Sequence, residues 1–194
     1  MTVAQEAVDA AIDAGARQQI GQSYQVLGDA LAAGGELGRA REAHERAIAH
    51  LSGSPSQGHR AETRTRLVKT LVSLGDLAEA RHQAETSRAE VGANDVFTLA
   101  TSVAALAAVC AAEGKPEDAD RLFREALERI APTGYATLHM EIRRDYAAFL
   151  VDHGRGPEAR TILEEVRAFF DTPATPFERQ RTEALLQRCA AVPR

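Results

Sequence analysis

Tryptophan is absent from this 194-residue sequence, asparagine occurs once and lysine twice, and the aromatic residues are three tyrosines and six phenylalanines. A chain so poor in strand formers, with 38 alanines and 17 leucines, favours helices over sheets. The two cysteines, Cys110 and Cys189, lie far apart with neither a CxxC pair nor zinc-ligand spacing. A reducing, cytoplasmic setting follows as the simplest expectation. No run of about 18 apolar residues is present, which excludes a membrane-spanning helix and any membrane partner that would need one. The stretch TVAQEAVDAAIDAGA is acidic and lacks the basic start and apolar core of a signal peptide. With 23 basic residues against 28 acidic ones, the net charge of −5 offers no general attraction for nucleic acid, so no direct nucleic-acid binding is expected. The prolines number seven and stand mostly where helices would end.

Catalytic signatures are missing as well. There is no GxxxxGK[ST] or GxGxxG phosphate loop, no GxSxG and no HExxH. The six histidines, at positions 44, 50, 59, 82, 139 and 153, form no i, i+4 pair, so no helical metal site is expected. Carboxylates such as Glu113, Glu117 and Asp118 read as turn-flanking and helix-start residues, and His44 and Cys110 as core residues. The expectation is a protein that is not an enzyme and takes no cofactor or metal.

What the sequence does contain is a period. Glycines recur at Gly35, Gly75, Gly114 and Gly154, at intervals of 40, 39 and 40 residues. Five residues after each stands an alanine: Ala40, Ala80, Ala119 and Ala159. Nine after come His44, Ala84, Phe123 and Leu163, and twelve after come Ala47, Ser87, Ala126 and Val166. Four before stand Leu31, Leu71, Cys110 and Leu150, and eight before stand Leu27, Leu67, Leu106 and Tyr146. Such offsets describe two amphipathic helices broken at the glycine, each with one apolar stripe. The spacing predicts helix pairs over 21–33 with 37–51, 60–74 with 77–90, 97–113 with 116–130, and 136–153 with 157–170. Pro116 and Pro157 fall at the first positions of second helices. Residues 53–58 and Pro132-Thr133-Gly134 read as connections. Helices are also predicted over 3–14, with Ala7, Val8 and Ala11 in register one repeat before Ala47, Ile48 and Leu51, and over 176–190, with Leu186 and Ala190 in register one repeat after Tyr146 and Leu150.

The run Tyr24, Leu27, Gly28, Leu31, Gly35, Ala40, His44, Ala47 resembles the motif of the tetratricopeptide repeat family, and Val103, Leu106, Ala107, Gly114, Ala119, Phe123, Ala126 with Pro132 is a second copy. In the Gly75 and Gly154 copies, Arg64 and Arg143 replace a large apolar residue. The resemblance covers residues 21–171, at a period like that of the long-loop variety found in kinesin light chains and bacterial signalling regulators; residues 91–99 have the character of its inter-repeat loop. It implies an all-α, helical-hairpin repeat solenoid, a right-handed superhelix of about ten helices in a single domain over 1–194. The segments 3–14 and 176–190 are then caps or half-repeats, of a whole protein or of a piece of a longer array, and as half-repeats they are candidates for self-association.

In that family the first helices of the pairs line a concave face that takes partner segments. Offsets of 13, 10, 9 and 6 before each glycine share one helical face. They select Gln22, Gln25, Val26 and Asp29; Glu62, Thr65, Arg66 and Lys69; Thr101, Ala104, Ala105 and Ala108; and Glu141, Arg144, Asp145 and Ala148. The candidate partner-binding residues among them are Gln25, Asp29, Arg66, Lys69, Ala104, Ala105, Ala108, Arg144 and Asp145, a basic centre beside a smooth alanine floor. The lysine and arginine clamp with which some members hold a chaperone's C-terminal carboxylates would fall on Gln25, Asp29, Arg66, Thr101 and Ala105, or on Thr65, Lys69, Ala105, Glu141 and Asp145, and neither set matches. The expected function is a scaffold that binds a protein or peptide in its groove, the alternative being the effector-sensing part of a bacterial transcriptional or signal-transduction regulator.

Overall fold

The computed structural model describes residues 3–52, 57–92, 95–172 and 175–191. They form ten helices: α1 (Val3–Asp13), α2 (Arg17–Ala33), α3 (Leu37–Leu51), α4 (Gln57–Leu74), α5 (Leu77–Glu90), α6 (Val96–Ala112), α7 (Pro116–Ile130), α8 (Ala136–Asp152), α9 (Gly156–Phe169) and α10 (Pro176–Ala191). No strand occurs among the described residues. The expected pairs are therefore α2–α3, α4–α5, α6–α7 and α8–α9. Most of the expected connection over 53–58 lies outside the described residues. So do residues 93 and 94 of the expected loop over 91–99, whose last four residues are already helical. Asp95 starts α6 by accepting from the Thr98 backbone N–H at 2.9 Å, a side-chain cap for an otherwise orphaned donor.

Each repeat glycine ends a helix for the same reason. Gly35, Gly75, Gly114 and Gly154 have φ between +73° and +80°, a region that costs an L-residue with a Cβ but not glycine. The left-handed turn lets the next residue's N–H reach back to a carbonyl in the last turn of the helix: Glu36 to Leu31 at 2.9 Å, Asp76 to Leu71 at 3.0 Å, Lys115 to Cys110 at 2.9 Å and Arg155 to Leu150 at 2.8 Å. The same four acceptor residues form the apolar stripe four before the glycine, so one position closes the helix and packs the core. A fifth glycine, Gly15 at φ +66°, makes an equally short turn between α1 and α2. It lies outside the 40-residue register, which is why the period does not reveal it.

Burial follows the register. Ala40, Ala80, Ala119 and Ala159 have no exposed surface, and Phe123, Leu150 and Leu163 fill the space between pairs. One core runs from Leu67 to Leu163, and a smaller cluster of Val8, Leu27, Leu31, Ala40 and Ala43 closes the N-terminal end. Two terminal positions depart from expectation: Ala7 and Ala190 are exposed. Val8 and Ala11 pack α1 without Ala7, while Leu185, Leu186 and Cys189 pack α10. The stripe of α10 is thus one residue out of the expected register.

Polar rungs join successive pairs beside this core. Arg41 of α3 donates to Asp76 in the next turn at 3.1 Å, Arg81 of α5 donates twice to Glu113 at 2.6 and 2.7 Å, and Asp120 of α7 accepts from Arg155 at 2.5 Å. Arg41, Arg81 and Asp120 each stand six after a repeat glycine, and the third rung has its charges reversed. Arg64 and Arg143, where the repeat motif prefers apolar bulk, reach across to the partner helix instead. Arg64 donates to Gln83 at 2.5 Å and pairs with Glu90, and Arg143 pairs with Glu165 at 2.6 Å.

Candidate concave interface

The helices form two layers. The backbones of first helices α2, α4, α6, α8 and α10 approach their neighbours in order, whereas no two second helices bring their backbones as close among the described residues. In a curved two-layer stack the crowded layer is the inner one, so α2, α4, α6, α8 and α10 line the concave face. A bond between non-adjacent repeats reflects the same crowding: Lys69 of α4 donates to Asp145 of α8 at 2.5 Å, spanning α6. The small side chains of α6 permit this approach, because Ala104 and Ala105 are buried at 6% and 1% exposure. They belong to the core and leave Thr101 and Ala108 half-buried on the α6 part of the face. Thr65 is buried too, donating its hydroxyl to the Glu62 carbonyl at 2.7 Å.

The cations expected at the centre of the face are brought together there, and each has an acid of its own chain. Arg66 pairs with Asp29 of α2 and with Glu62, both at 3.0 Å. Arg144, only 3% exposed, pairs with Glu178 of α10 and lies 6.0 Å from the centre of the Phe170 ring. The centre is therefore a chain of ion pairs rather than a basic patch. Burial opposes ionisation of Asp145, but Lys69 and Arg144 outweigh it and hold its pKa below the ordinary carboxylate value. At Glu141 burial dominates and raises the pKa, against the pull of Lys69 and Arg144. Two guanidinium nitrogens on this face, Nε of Arg66 and of Arg144, are buried without a hydrogen-bond acceptor.

Gln25 and Asp29 sit at the N-terminal end of the same face. The Gln25 carbonyl accepts from Thr63 at 2.8 Å, tying α2 to α4. Asp29 also lies 3.3 Å from Nε2 of His44, whose Nδ1 is 3.4 Å from the Thr70 hydroxyl. His44 is buried at 1% exposure and satisfied on both ring nitrogens, a core histidine as its register implies. Val26, between Gln25 and Asp29, is 57% exposed.

Sequence reasoning missed two contributions. Glu178, Arg181 and Arg188 of α10 join this face, although α10 read as a cap or half-repeat with none of its residues assigned there; the arginines at 181 and 188, two helical turns apart, were the available signal. Glu113, read from the sequence as a turn-flanking acid, is a rung: its hydrogen bonds from Arg81 and Lys115 hold its pKa down to about 2. No group of three or more His, Cys, Asp or Glu side chains placed to hold a metal ion occurs among the described residues. No described helix is long and apolar enough to cross a membrane.

No family model and no curated protein matches the sequence. Solved structures do match the fold. BtubC (BKLC) from P. vanneervenii superposes with a TM-score of 0.65 at 16% identity, covering 97% of this chain and 87% of that one. A putative kinesin light chain of Podosopora anserina, built of nearly identical TPR-like repeats, gives 0.56 at 18% identity over 91% of this chain and 95% of its own. A single-substitution variant described in the same words gives 0.55 at 21% identity over 85% and 82%. The glycine register, the two helix layers and these superpositions agree: the chain has the all-helical solenoid fold of the tetratricopeptide-like repeat proteins.

Proposed function

We propose that this chain is a non-catalytic scaffold that holds a protein or peptide segment against its inner layer. The observation that carries the reading is the half-open ion-pair chain on that face. Arg66 and Asp29 are 38% and 37% exposed at their side chains, and Lys69 is 52% exposed. Pairs so accessible to water contribute little to stability, so a partner's charges can exchange with them at small cost. Between them Val26, Ala108 and Ala148 offer apolar footholds. The paired side chains give register, and the apolar positions give affinity.

The test is a charge reversal on each face of the full chain. Arg66→Glu with Lys69→Glu should leave helicity intact, because neither residue belongs to the packing stripe, and should abolish retention of the partner captured from native lysate by the unaltered protein. Arg124→Glu on α7, in the outer layer, should leave retention unchanged. The opposite pattern, loss with Arg124→Glu and full retention with the inner pair reversed, overturns the reading.

A further inference from the structure

The joint between the third and fourth helix pairs is held differently on its two sides. Toward the outer layer it is firm. Phe123 of α7 packs against the rings of Tyr146 and Phe149 of α8, with centres 5.5 and 5.6 Å apart. Beside them Asp120 of α7 accepts from the Tyr146 hydroxyl at 2.8 Å and from Arg155 at 2.5 Å. Toward the inner layer, α6 makes no side-chain hydrogen bond or ion pair with α8 among the described residues. The hydroxyls of Thr98, Thr101 and Ser102 are spent on Asp95 and on carbonyls of α6 itself. What α6 presents on that side is Ala104, Ala105 and Ala108, whose methyl groups are too short to interlock with a neighbouring helix. The polar bond that reaches α8 there comes from α4 instead. Lys69 donates to Asp145 at 2.5 Å across the whole width of α6, although the backbones of α4 and α8 stay apart.

We propose that the Lys69–Asp145 pair is a releasable strap that sets the curvature of the solenoid at this joint, holding α8, α9 and α10 closed toward α4. Because the bond spans a helix, it restrains the angle between repeats that are not adjacent. It is also easy to undo: the Lys69 side chain is 52% exposed, so water and ions compete for its ammonium. The Asp145 side chain is only 22% exposed, so once Lys69 leaves, its carboxylate gains water when α8 swings away from α6. The outer layer has room for that swing, since no two second helices bring their backbones close among the described residues. The aromatic and hydrogen-bonded contact of α7 with α8 is the pivot, a hinge of the kind that packed helices supply. Admitting one water between the ammonium and the carboxylate lengthens their separation by about 3 Å. With the pivot between layers about 8–10 Å apart, the outer helices on either side of the joint close by a similar distance. The strap does not rest on the proposed function. Its control does: a partner on the inner face that captures Lys69 or Asp145 releases it, which links occupancy to curvature.

The experiment measures a distance across the joint by pulsed electron spin resonance on the full chain. Spin labels go on His82→Cys of α5 and Arg167→Cys of α9, both exposed outer-layer positions, in a Cys189→Ala background. Cys110, at 4% exposure, is shielded from the label. Lys69→Met keeps the aliphatic stem and removes the ammonium; it should shorten the mean label distance by roughly 3 Å and broaden its distribution. Asp145→Ala should do the same, and the double substitution should do no more than either alone, because each breaks the same bond. Lys69→Arg, which keeps a charged donor for Asp145, should leave the distribution of the unaltered chain. So should Arg121→Ala, which removes an exposed pair within α7. A distance unchanged in both Lys69→Met and Asp145→Ala overturns the strap, as does an equal shift in Arg121→Ala or Lys69→Arg. Shifts that sum in the double substitution also overturn it, since the two residues would then act separately. The chain is measured alone, so a failed strap leaves the inner-face reading to its own test of partner retention.

Discussion

Replacing Gly28 with alanine sets two opposed effects against each other, and the structure says which one wins. Gly28 lies in the interior of α2, where alanine would ordinarily gain about 1 kcal/mol over glycine. A Cβ built there stands less than 3.0 Å from both Cδ2 and Nε2 of His44. The ring cannot swing aside, because it is buried at 1% exposure and fixed between Asp29 at 3.3 Å and Thr70 at 3.4 Å. Overpacking of this kind costs about 1–3 kcal/mol, and displacing His44 from a partner adds about 1–3 kcal/mol more for a buried polar atom left unmatched. Subtracting the helix gain leaves Gly28→Ala destabilised by about 1–5 kcal/mol, a fall in Tm of roughly 2–20 °C for a domain of this size. Gly38→Ala is the control: it also sits in a helix, α3, but no other side chain or backbone lies within 4 Å of its Cβ, so it should gain a few tenths to about 1 kcal/mol. Thermal unfolding followed by far-ultraviolet circular dichroism reads both. If Gly28→Ala is as stabilising as Gly38→Ala, the α2–α3 contact is looser than described and the small-residue logic of the first repeat fails.

Ala119→Leu should cost about 1–3 kcal/mol through overpacking, since Ala119 is fully buried where α7 crosses α6; an unchanged urea midpoint would show the helix register to be wrong. Gly114→Ala has open space around its Cβ but a φ of +74°, so it should cost about 1–2 kcal/mol through backbone strain alone, read in the same assay. The rungs predict a pH dependence. Hydrogen bonds from Arg81 and Lys115 hold Glu113 at about 2, and those from Arg124, Arg155 and Tyr146 overcome burial to hold Asp120 at about 2. In the unfolded chain both return to about 4. Because the folded values are the lower ones, their stabilisation is complete above about pH 5 and is lost as pH falls from there toward 2. Urea midpoints should fall over that interval, and less steeply for Glu113→Gln with Asp120→Asn. Glu141, whose pKa burial raises, should cost stability when ionised, so Glu141→Gln should match or exceed the unaltered chain at neutral pH, by up to about 1 kcal/mol in urea unfolding.

The fold was legible because its period is tied to a backbone requirement. A left-handed turn every 39 or 40 residues needs glycine, and the residues four before and five after must be apolar or small for the helices to close on each other. Those constraints place Leu31, Leu71, Cys110 and Leu150, and all four alanines, without reference to coordinates. Gly15 escaped because a single turn off the register has no repeat to expose it. The face of α4, α6 and α8 was legible in direction but not in depth. Helical spacing puts Ala104 and Ala105 on the inner side, yet only the approach of α4 and α8, recorded by the Lys69–Asp145 bond, reveals that curvature buries them. Charge pairing was equally hidden, because partners far apart in the chain, such as Asp29 with Arg66 and Lys69 with Asp145, share no local pattern. The docking of α10 was hidden in the same way, because it is fixed by Glu178 meeting Arg144 of α8 and by Thr182 and Leu185 meeting the core.

Site-directed photo-crosslinking tests most directly whether the inner layer is the working surface. A photoreactive residue at Val26 or Ala148 samples the inner face, and one at Arg121 or Arg160, whose side chains are 64% and 59% exposed, samples the outer helices. With the full chain irradiated in native lysate, the account predicts a discrete crosslinked partner from the two inner positions and none from the outer two. A partner captured only from Arg121 or Arg160 would contradict it.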